Sequence, residues 1–274
     1  MEVTVAKHAG FCFGVKRAVR IALDAAKSKR VYTLGPLIHN PPMVEEMRKK
    51  GAIPLSNLKD LDKGSVIIPS HGISPQVLKR IESRVEEIID ATCPFVKSAR
   101  EEAIKLDREC EQLIIVGDRE HPEIKGILPF LRDTVLVVRK ASEIPDKSFS
   151  SCGIIAQTTM SESIFKHVVS RILSCSREVK IINTICDATR KRQSSTLELL
   201  RNVEVMIVVG GHNSANTRRL LEVCRRRKKP AYQVEDDTEL RDEWFRNCQK
   251  VGVTAGASTP SWMIERILQK ISSF

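Results

Sequence analysis

No C-x-x-C pair occurs anywhere in this chain, although it holds eight cysteines among 274 residues. The paired spacing that announces zinc ribbons and dithiol redox motifs is therefore missing. Apolar runs are short, none near the ~18 residues of a membrane span. The opening MEVTVAKHAG reads as a charged strand and has neither the apolar core nor the cleavage site of a signal peptide. A cytoplasmic setting is the expectation, with reduced cysteines rather than a disulfide framework. Aromatics are scarce: eight Phe, two Tyr and two Trp. None interleaves with the basic run RRRKK at 225–229, which weighs against a stacking platform for single-stranded nucleic acid. That run reads instead as a solvated helix end. The net charge of +11 still calls for anionic partners, among them phosphorylated metabolites, acidic proteins and, as the rival reading, nucleic acid.

What is present is a unit that recurs three times. A short β-leaning run, a cysteine, a basic residue four positions on and a helical run appear as EVTVAK-HAGFC-FGVKRAVRIALDAA, EEIID-ATC-PFVKSAREEAIKL and VKIIN-TIC-DATRKRQSSTLELL. The cysteines are Cys12, Cys93 and Cys186, and the cations Lys16, Lys97 and Arg190. A second apolar run ends in glycine 23, 24 and 24 residues after each cysteine, at Gly35, Gly117 and Gly210. A third ends in small polar residues, as SVIIPSHGIS, CGIIAQTTMS and VGVTAGASTPS. Alternating strand and helix patterns predict βα units with mainly parallel sheets. We read three similar small α/β modules in pseudo-threefold arrangement around a central site: 12–92, 93–185, and 186–274 completed by the N-terminal strand 1–11. The competing arrangement is one doubly wound sheet. Agreement of three offsets, cysteine included, favours the repeat.

In open α/β sheets ligands bind beyond the carboxyl ends of the strands. The three cysteines fall there, as a matched set of soft ligands. Their thiolates would be favoured by the helix N-terminus and by the cation one turn on. An iron–sulfur cluster or a zinc ion would relieve their mutual repulsion. Three ligands suit a site with one open position. Cys110, Cys152, Cys175, Cys224 and Cys248 lie outside the repeat and read as ordinary buried thiols, Cys110 and Cys224 at helix positions. The other strand-end loops offer donors: His39, His71, His121 with Glu123, Thr158, the NSAN stretch at 213–216 and Ser258. A phosphate at the helix that NSAN opens would meet free backbone N–H groups. His167 and His212 read as structural or surface residues.

GFCFGVKRAV, LIHN, SHGIS, ATCPFV, HPE, QTT, TIC-x-AT-x-x-RQ, NSAN and TAGAS, in this order, resemble the hydroxymethylbutenyl diphosphate reductase family. The resemblance implies a [4Fe–4S] cluster, one per chain, held by Cys12, Cys93 and Cys186 with one iron open to substrate. It implies reductive loss of an allylic hydroxyl to give isopentenyl and dimethylallyl diphosphates. On the matching motifs Glu123 would donate a proton, assisted by Thr158 and His121. His39, His71, Ser214, Ala215, Asn216 and Ser258 would hold the diphosphate. Many members of the family carry a second serine where this chain has Ala215, so any contribution there falls to its backbone N–H. The basic surface is expected to receive an acidic electron carrier of the ferredoxin or flavodoxin type. Neither nucleic acid nor a membrane is expected as a partner.

Overall fold

The computed structural model describes residues 1–61 and 64–274. The chain begins with β1 (Glu2–Val5), α1 (Phe13–Ala26), β2 (Val31–Leu34), α2 (Pro41–Lys49), β3 (Ala52–Leu55), β4 (Ser65–Ile68), α3 (Pro75–Glu82) and β5 (Glu87–Asp90). It continues through α4 (Pro94–Glu109), β6 (Gln112–Val116), α5 (Pro122–Ile127), β7 (Leu136–Val138), β8 (Phe149–Ala156), α6 (Glu162–Leu173) and β9 (Ser176–Ile181). Last come α7 (Asp187–Leu199), β10 (Val205–Val209), α8 (Ala215–Arg226), β11 (Ala231–Val234), β12 (Lys250–Ala255) and α9 (Ser261–Ile271).

The described strands form three all-parallel sheets of four, in the orders β3-β2-β4-β5, β7-β6-β8-β9 and β11-β10-β12-β1. Each sheet thus repeats one order. The third takes its last strand from the N-terminus, with Glu2 to Val5 registered against Lys250 to Val253. The recurring sequence unit straddles this plan. Its strand closes one sheet, and the helix after its cysteine opens the next.

The three apolar runs of the sequence repeat became the inner strands and the last edge strand. The other edge strands, β3, β7 and β11, carry no such signature. Pro54 within β3 costs no ladder bond on its open side, because among the described strands β3 pairs only with β2.

Contacts divide the chain into two compact units. The first holds Met1–Lys16, Ile38–Met47 and Asp187–Phe274, and the second Arg17–Leu37 and Arg48–Cys186. The sheet containing β10 lies in the first. Its Ile207, Val209 and Val253 pack with Ile264, Ile267 and Ile271 of α9 on one face. Met206 and Val208 pack on the other with Leu199, Leu220 and Cys224.

In the second unit the β6 sheet is covered on both faces in the same way. Ile114, Val116 and Ile154 meet Phe165, Val168 and Ile172 of α6. Leu113, Ile115 and Ile155 meet Ala103 and Leu106 of α4 and Ile124 and Ile127 of α5. Strand side chains alternate faces, so two apolar coverings require the near-continuous apolar runs LIIV and MIVV. Among the described residues no helix is long and apolar enough to cross a membrane.

Candidate active site

All three cysteines of the repeat occupy one backbone position. Each directly precedes a helix: α1, α4 or α7. Each donates its amide N–H to the carbonyl two residues past the end of the adjoining strand. The partners are Ala257 beyond β12 for Cys12 (3.1 Å), Ser70 beyond β4 for Cys93 (2.9 Å) and Thr158 beyond β8 for Cys186 (3.0 Å). All three thiols are partly exposed, whereas Cys110, Cys152 and Cys224 are buried. Burial holds those three thiols protonated, and pushes Cys224 up to about 12. Cys110 is the residue that ends α4 rather than a position within it.

The cations one turn on are engaged elsewhere. Lys97 pairs with Asp90 at 2.5 Å, and Arg190 pairs with Asp187. Their carboxylates therefore compete for the charge that the sequence pattern assigned to the thiols.

In the first unit, Cys12 stands beside the anion-binding candidates. Ala257, which receives the Cys12 N–H, is followed by Ser258, whose Oγ donates to the His39 carbonyl at 2.9 Å. Ser214 caps α8, its Oγ accepting from Thr217 N at 3.3 Å. The first-turn amides of Ala215 and Asn216 have no intrahelical acceptor to reach. The side-chain Nδ2 of Asn216 is buried without a hydrogen-bond partner among the described residues. A buried orphan donor of this kind costs about 1–3 kcal/mol until an acceptor arrives. Burial, with Arg218 nearby, pushes the His39 imidazole below its ordinary value, so the ring stays neutral and keeps one N–H to donate. This donor set fits a diphosphate.

Cys93, His71, Cys186, His121, Glu123 and Thr158 belong to the second unit. Thr158 lies at its centre. Its N–H donates to Glu123 Oε1 at 2.8 Å, its Oγ1 donates to Oε2 at 2.7 Å, and its carbonyl receives the Cys186 N–H. Glu123 is buried, and desolvation raises its pKa against the opposing pull of those two hydrogen bonds. His121 caps α5, and its Nδ1 accepts from Glu123 N at 3.2 Å, which leaves the neutral ring proton on Nε2.

The His71 loop lies against the same helix. A Cβ on Gly126 would come 3.7 Å from the His71 carbonyl and 3.8 Å from Gly72 and Ile73. His212, exposed and 3.2 Å from Glu239, takes no part.

Two residues that the motifs contain were given no role in the sequence reading. Gln157 accepts from Asp118 N at 3.0 Å and donates to Thr159 Oγ1 at 2.9 Å, tying the ends of β6 and β8 together. Its side chain also explains the glycine at 117, where a Cβ would come within 3.0 Å of Gln157 Cβ. Arg192 is almost fully buried on α7, the helix of the third repeat.

Within either unit, no group of three or more His, Cys, Asp and Glu side chains among the described residues stands gathered as a metal site. Cys12 belongs to one unit, and Cys93 and Cys186 to the other. The donor chemistry nevertheless fits a cluster. Three thiols with one backbone environment, each partly open, are the soft ligands such a group takes, and three of them would leave one iron of a four-iron cluster unclaimed.

Comparison with known proteins identifies the family. A curated relative from Geobacter metallireducens, named 4-hydroxy-3-methylbut-2-enyl diphosphate reductase, is 44% identical over 275 residues, covering 99% of this chain and 97% of its own. One of the same name from Aquifex aeolicus is 43% identical over 277 residues, covering 99% and 96%. A solved (E)-4-hydroxy-3-methyl-but-2-enyl diphosphate reductase, described as the terminal enzyme of the non-mevalonate pathway, is similar at 42% identity. It covers all of both chains with a TM-score of 0.71. The Plasmodium falciparum E-1-hydroxy-2-methyl-but-2-enyl-4-diphosphate reductase aligns with a TM-score of 0.90 at 25% identity, over 97% of this chain and 86% of its own. The LytB protein family model matches residues 3–272, and this chain belongs to that family.

Proposed function

We propose that this chain is a 4-hydroxy-3-methylbut-2-enyl diphosphate reductase, an oxidoreductase of isoprenoid biosynthesis. The substrate C–O bond breaks, its oxygen leaves as water, and two electrons and two protons complete the change to isopentenyl or dimethylallyl diphosphate. One observation carries the reading: Thr158 joins a buried carboxylic acid to a candidate ligand cysteine. The same residue grips Glu123 through N–H and hydroxyl, and Cys186 through its carbonyl.

Cys12, Cys93 and Cys186 would hold a [4Fe–4S] cluster, which when bound supplies electrons and an open iron for the allylic oxygen. The remaining work falls to the protein. Hydroxide is a poor leaving group, so a proton must reach the departing oxygen. Raised by burial, Glu123 retains its proton at higher pH than an ordinary glutamate. Protonated Glu123 can turn its Oε2–H onto Thr158 Oγ1, which frees the threonine hydroxyl hydrogen to point at substrate. His121, with its proton on Nε2, is the second donor beside that acid. His39, His71, Ser214, the Ala215 amide, Asn216 and Ser258 bind the diphosphate as hydrogen-bond donors, aided by the N-terminal end of α8.

The external reductant is an acidic carrier of the ferredoxin or flavodoxin type, drawn by the +11 charge. We place the enzyme in the cytoplasm, with functional modules at 12–92, 93–185 and 186–274 plus 1–11. The test is anaerobic purification followed by turnover of the hydroxylated allylic diphosphate with a chemical reductant. Brown protein with roughly four irons per chain and formation of both products are expected. Colourless, iron-free protein, or loaded protein that leaves the substrate untouched, would overturn the reading.

A further inference from the structure

The loops that carry Cys12 and Cys93 share an anchor beyond the amide bond to the neighbouring strand. Arg17, on α1, donates from Nη1 to the carbonyl of Thr92 at 3.3 Å, one residue before Cys93. Arg192, on α7, donates from Nη2 to the carbonyl of Gly10 at 2.6 Å, two residues before Cys12. The second bond is buried and spans 182 residues of sequence. Arg192 also reaches the Ala188 carbonyl of its own helix from Nη1 at 3.2 Å, so its planar fork is fixed at two points.

The topology makes the two cases equivalent. α1 leads into the sheet whose last strand, β5, delivers Cys93. α7 leads into the sheet whose last strand, β1, delivers Cys12. In both, the opening helix of a sheet sends an arginine to the backbone beside the cysteine which that same sheet presents.

The third loop is held otherwise. Arg100 of α4 lies over the Phe130 ring at 4.9 Å. The loop before Cys186 is fastened by the Thr184 hydroxyl, which accepts from Ala156 N at 2.9 Å and donates to the Ala156 carbonyl.

Burying a guanidinium costs several kcal/mol of desolvation. Arg192 is nonetheless buried, on the face of α7 that also buries Thr189, Ser195, Thr196 and Leu199. Gly10 is equally restricted, with φ +90° and the Thr259 carbonyl 3.3 Å from any added Cβ. The Gly10 carbonyl thus has one orientation, and Arg192 meets it. We propose that Arg17 and Arg192 are positioning residues, each fixing from the opening helix of a sheet the backbone on which that sheet's cysteine stands. This rests on the reading that those cysteines hold a cluster. Outer-shell partners of ligands commonly set how firmly a metal group is retained.

The experiment compares full-length wild type with Arg192→Met, Arg192→Lys, Arg17→Met and Arg17→Lys, all purified anaerobically, with Arg108→Met on the exposed face of α4 as control. Iron per chain is measured, followed by the rate at which the visible chromophore decays under a chelator. Both Met variants should release the cluster about 10–100-fold faster, the Lys variants should fall between, and the control should match wild type. Thermal unfolding of the cluster-free proteins runs alongside. Loaded wild type with Met variants that keep its iron content and decay rate would overturn this inference alone, whatever their melting temperature. Wild type isolated without iron would overturn the cluster reading, and this inference with it. Should Arg192→Met not fold, the partly exposed Arg17→Met decides the matter.

Discussion

Replacing Glu123 with glutamine tests the acid role with little structural disturbance. Glu123 Oε1 accepts from the Thr158 amide and Oε2 from the Thr158 hydroxyl, at 2.8 and 2.7 Å. The glutamine Oε1 can keep the first bond. Its Nε2 can donate to the hydroxyl, which is the direction a protonated Glu123 would use. Glu123→Gln is therefore a steric and hydrogen-bonding copy of the protonated acid that has no proton to give. General-acid assistance is worth roughly 10²–10⁴ in rate, or about 2.7–5.4 kcal/mol of barrier. Turnover under a chemical reductant should fall by that factor, while iron content and substrate affinity hold.

The same variant carries a sign-specific pH signature. The native pKa of Glu123 is raised, so between the ordinary value of 4.5 and its higher native value the folded state binds more protons than the unfolded one. Stability attributable to this group is full below 4.5 and is lost as pH climbs through the native value. Glutamine does not titrate. The stability of Glu123→Gln relative to wild type should therefore improve as pH rises through that window, and the alkaline fall in the wild-type rate should vanish. A variant within a few-fold of the wild-type rate, or a stability difference that does not change with pH, would refute the reasoning.

Three further outcomes follow from the geometry. Asn216→Ala removes a buried amide donor awaiting an acceptor, so KM for the diphosphate substrate should rise about 10–100-fold, as expected of a hydrogen bond to a charged group, with kcat little changed. Gly256→Ala would place a Cβ 2.2 Å from Thr217 Oγ1. A loss of about 1–3 kcal/mol should appear as a lower Tm, and adding Thr217→Ala should recover part of it as a non-additive term. Cys224, with its thiol pushed up to about 12 by burial, should resist alkylation at pH 8 in the native cluster-free protein while Cys12, Cys93 and Cys186 react. Labelling of Cys224 as fast as those three would contradict the burial.

Much of the fold was legible because its signals are local. Apolar runs over 113–116 and 206–209 need two covered faces, and they are inner strands. Cysteine, cation, helix and glycine recur at nearly constant offsets, and the recurrence marks the three sheets. Module bounds drawn at each cysteine, 12–92, 93–185 and 186–274 with 1–11, put each repeat's leading strand in the module before it. The order of strands within a sheet was not legible, because it is decided by tertiary register. Nor were β3, β7 and β11, whose sequences AIPL, LVV and AYQV show no periodicity long enough to read. At the site, titratable and hydroxyl side chains in strand-end loops could be chosen from their chemistry. The partners of Arg17 and Arg192 are backbone carbonyls, 75 and 182 residues away, and a carbonyl leaves no trace in a sequence. Lys97 and Arg190 drew attention by their offset from cysteine, yet each found a carboxylate that the offset does not encode.

The shared strand order explains why one backbone can serve several chemistries. In every sheet the three strands bearing candidate residues are contiguous, and the outer strand β3, β7 or β11 bears none. Adjoining strands lie about 4.8 Å apart, so neighbouring carboxyl ends within a sheet start their loops close together. Beyond β10, β12 and β1 come Ser214 and Asn216, then Ser258, then Cys12. Beyond β6, β8 and β9 come His121 and Glu123, then Thr158, then Cys186. Beyond β2, β4 and β5 come His39, His71 and Cys93. The last position is a cysteine each time, with the same amide bond. The other two have diverged into hydroxyl and amide donors, a buried acid with its threonine, and a pair of imidazoles. A role needed in triplicate preserves its residue in all three sheets, whereas roles needed once are free to differ between them. On the proposed reading, ligation of one inorganic group would be a role of the first kind, and proton delivery and anion binding would be roles of the second.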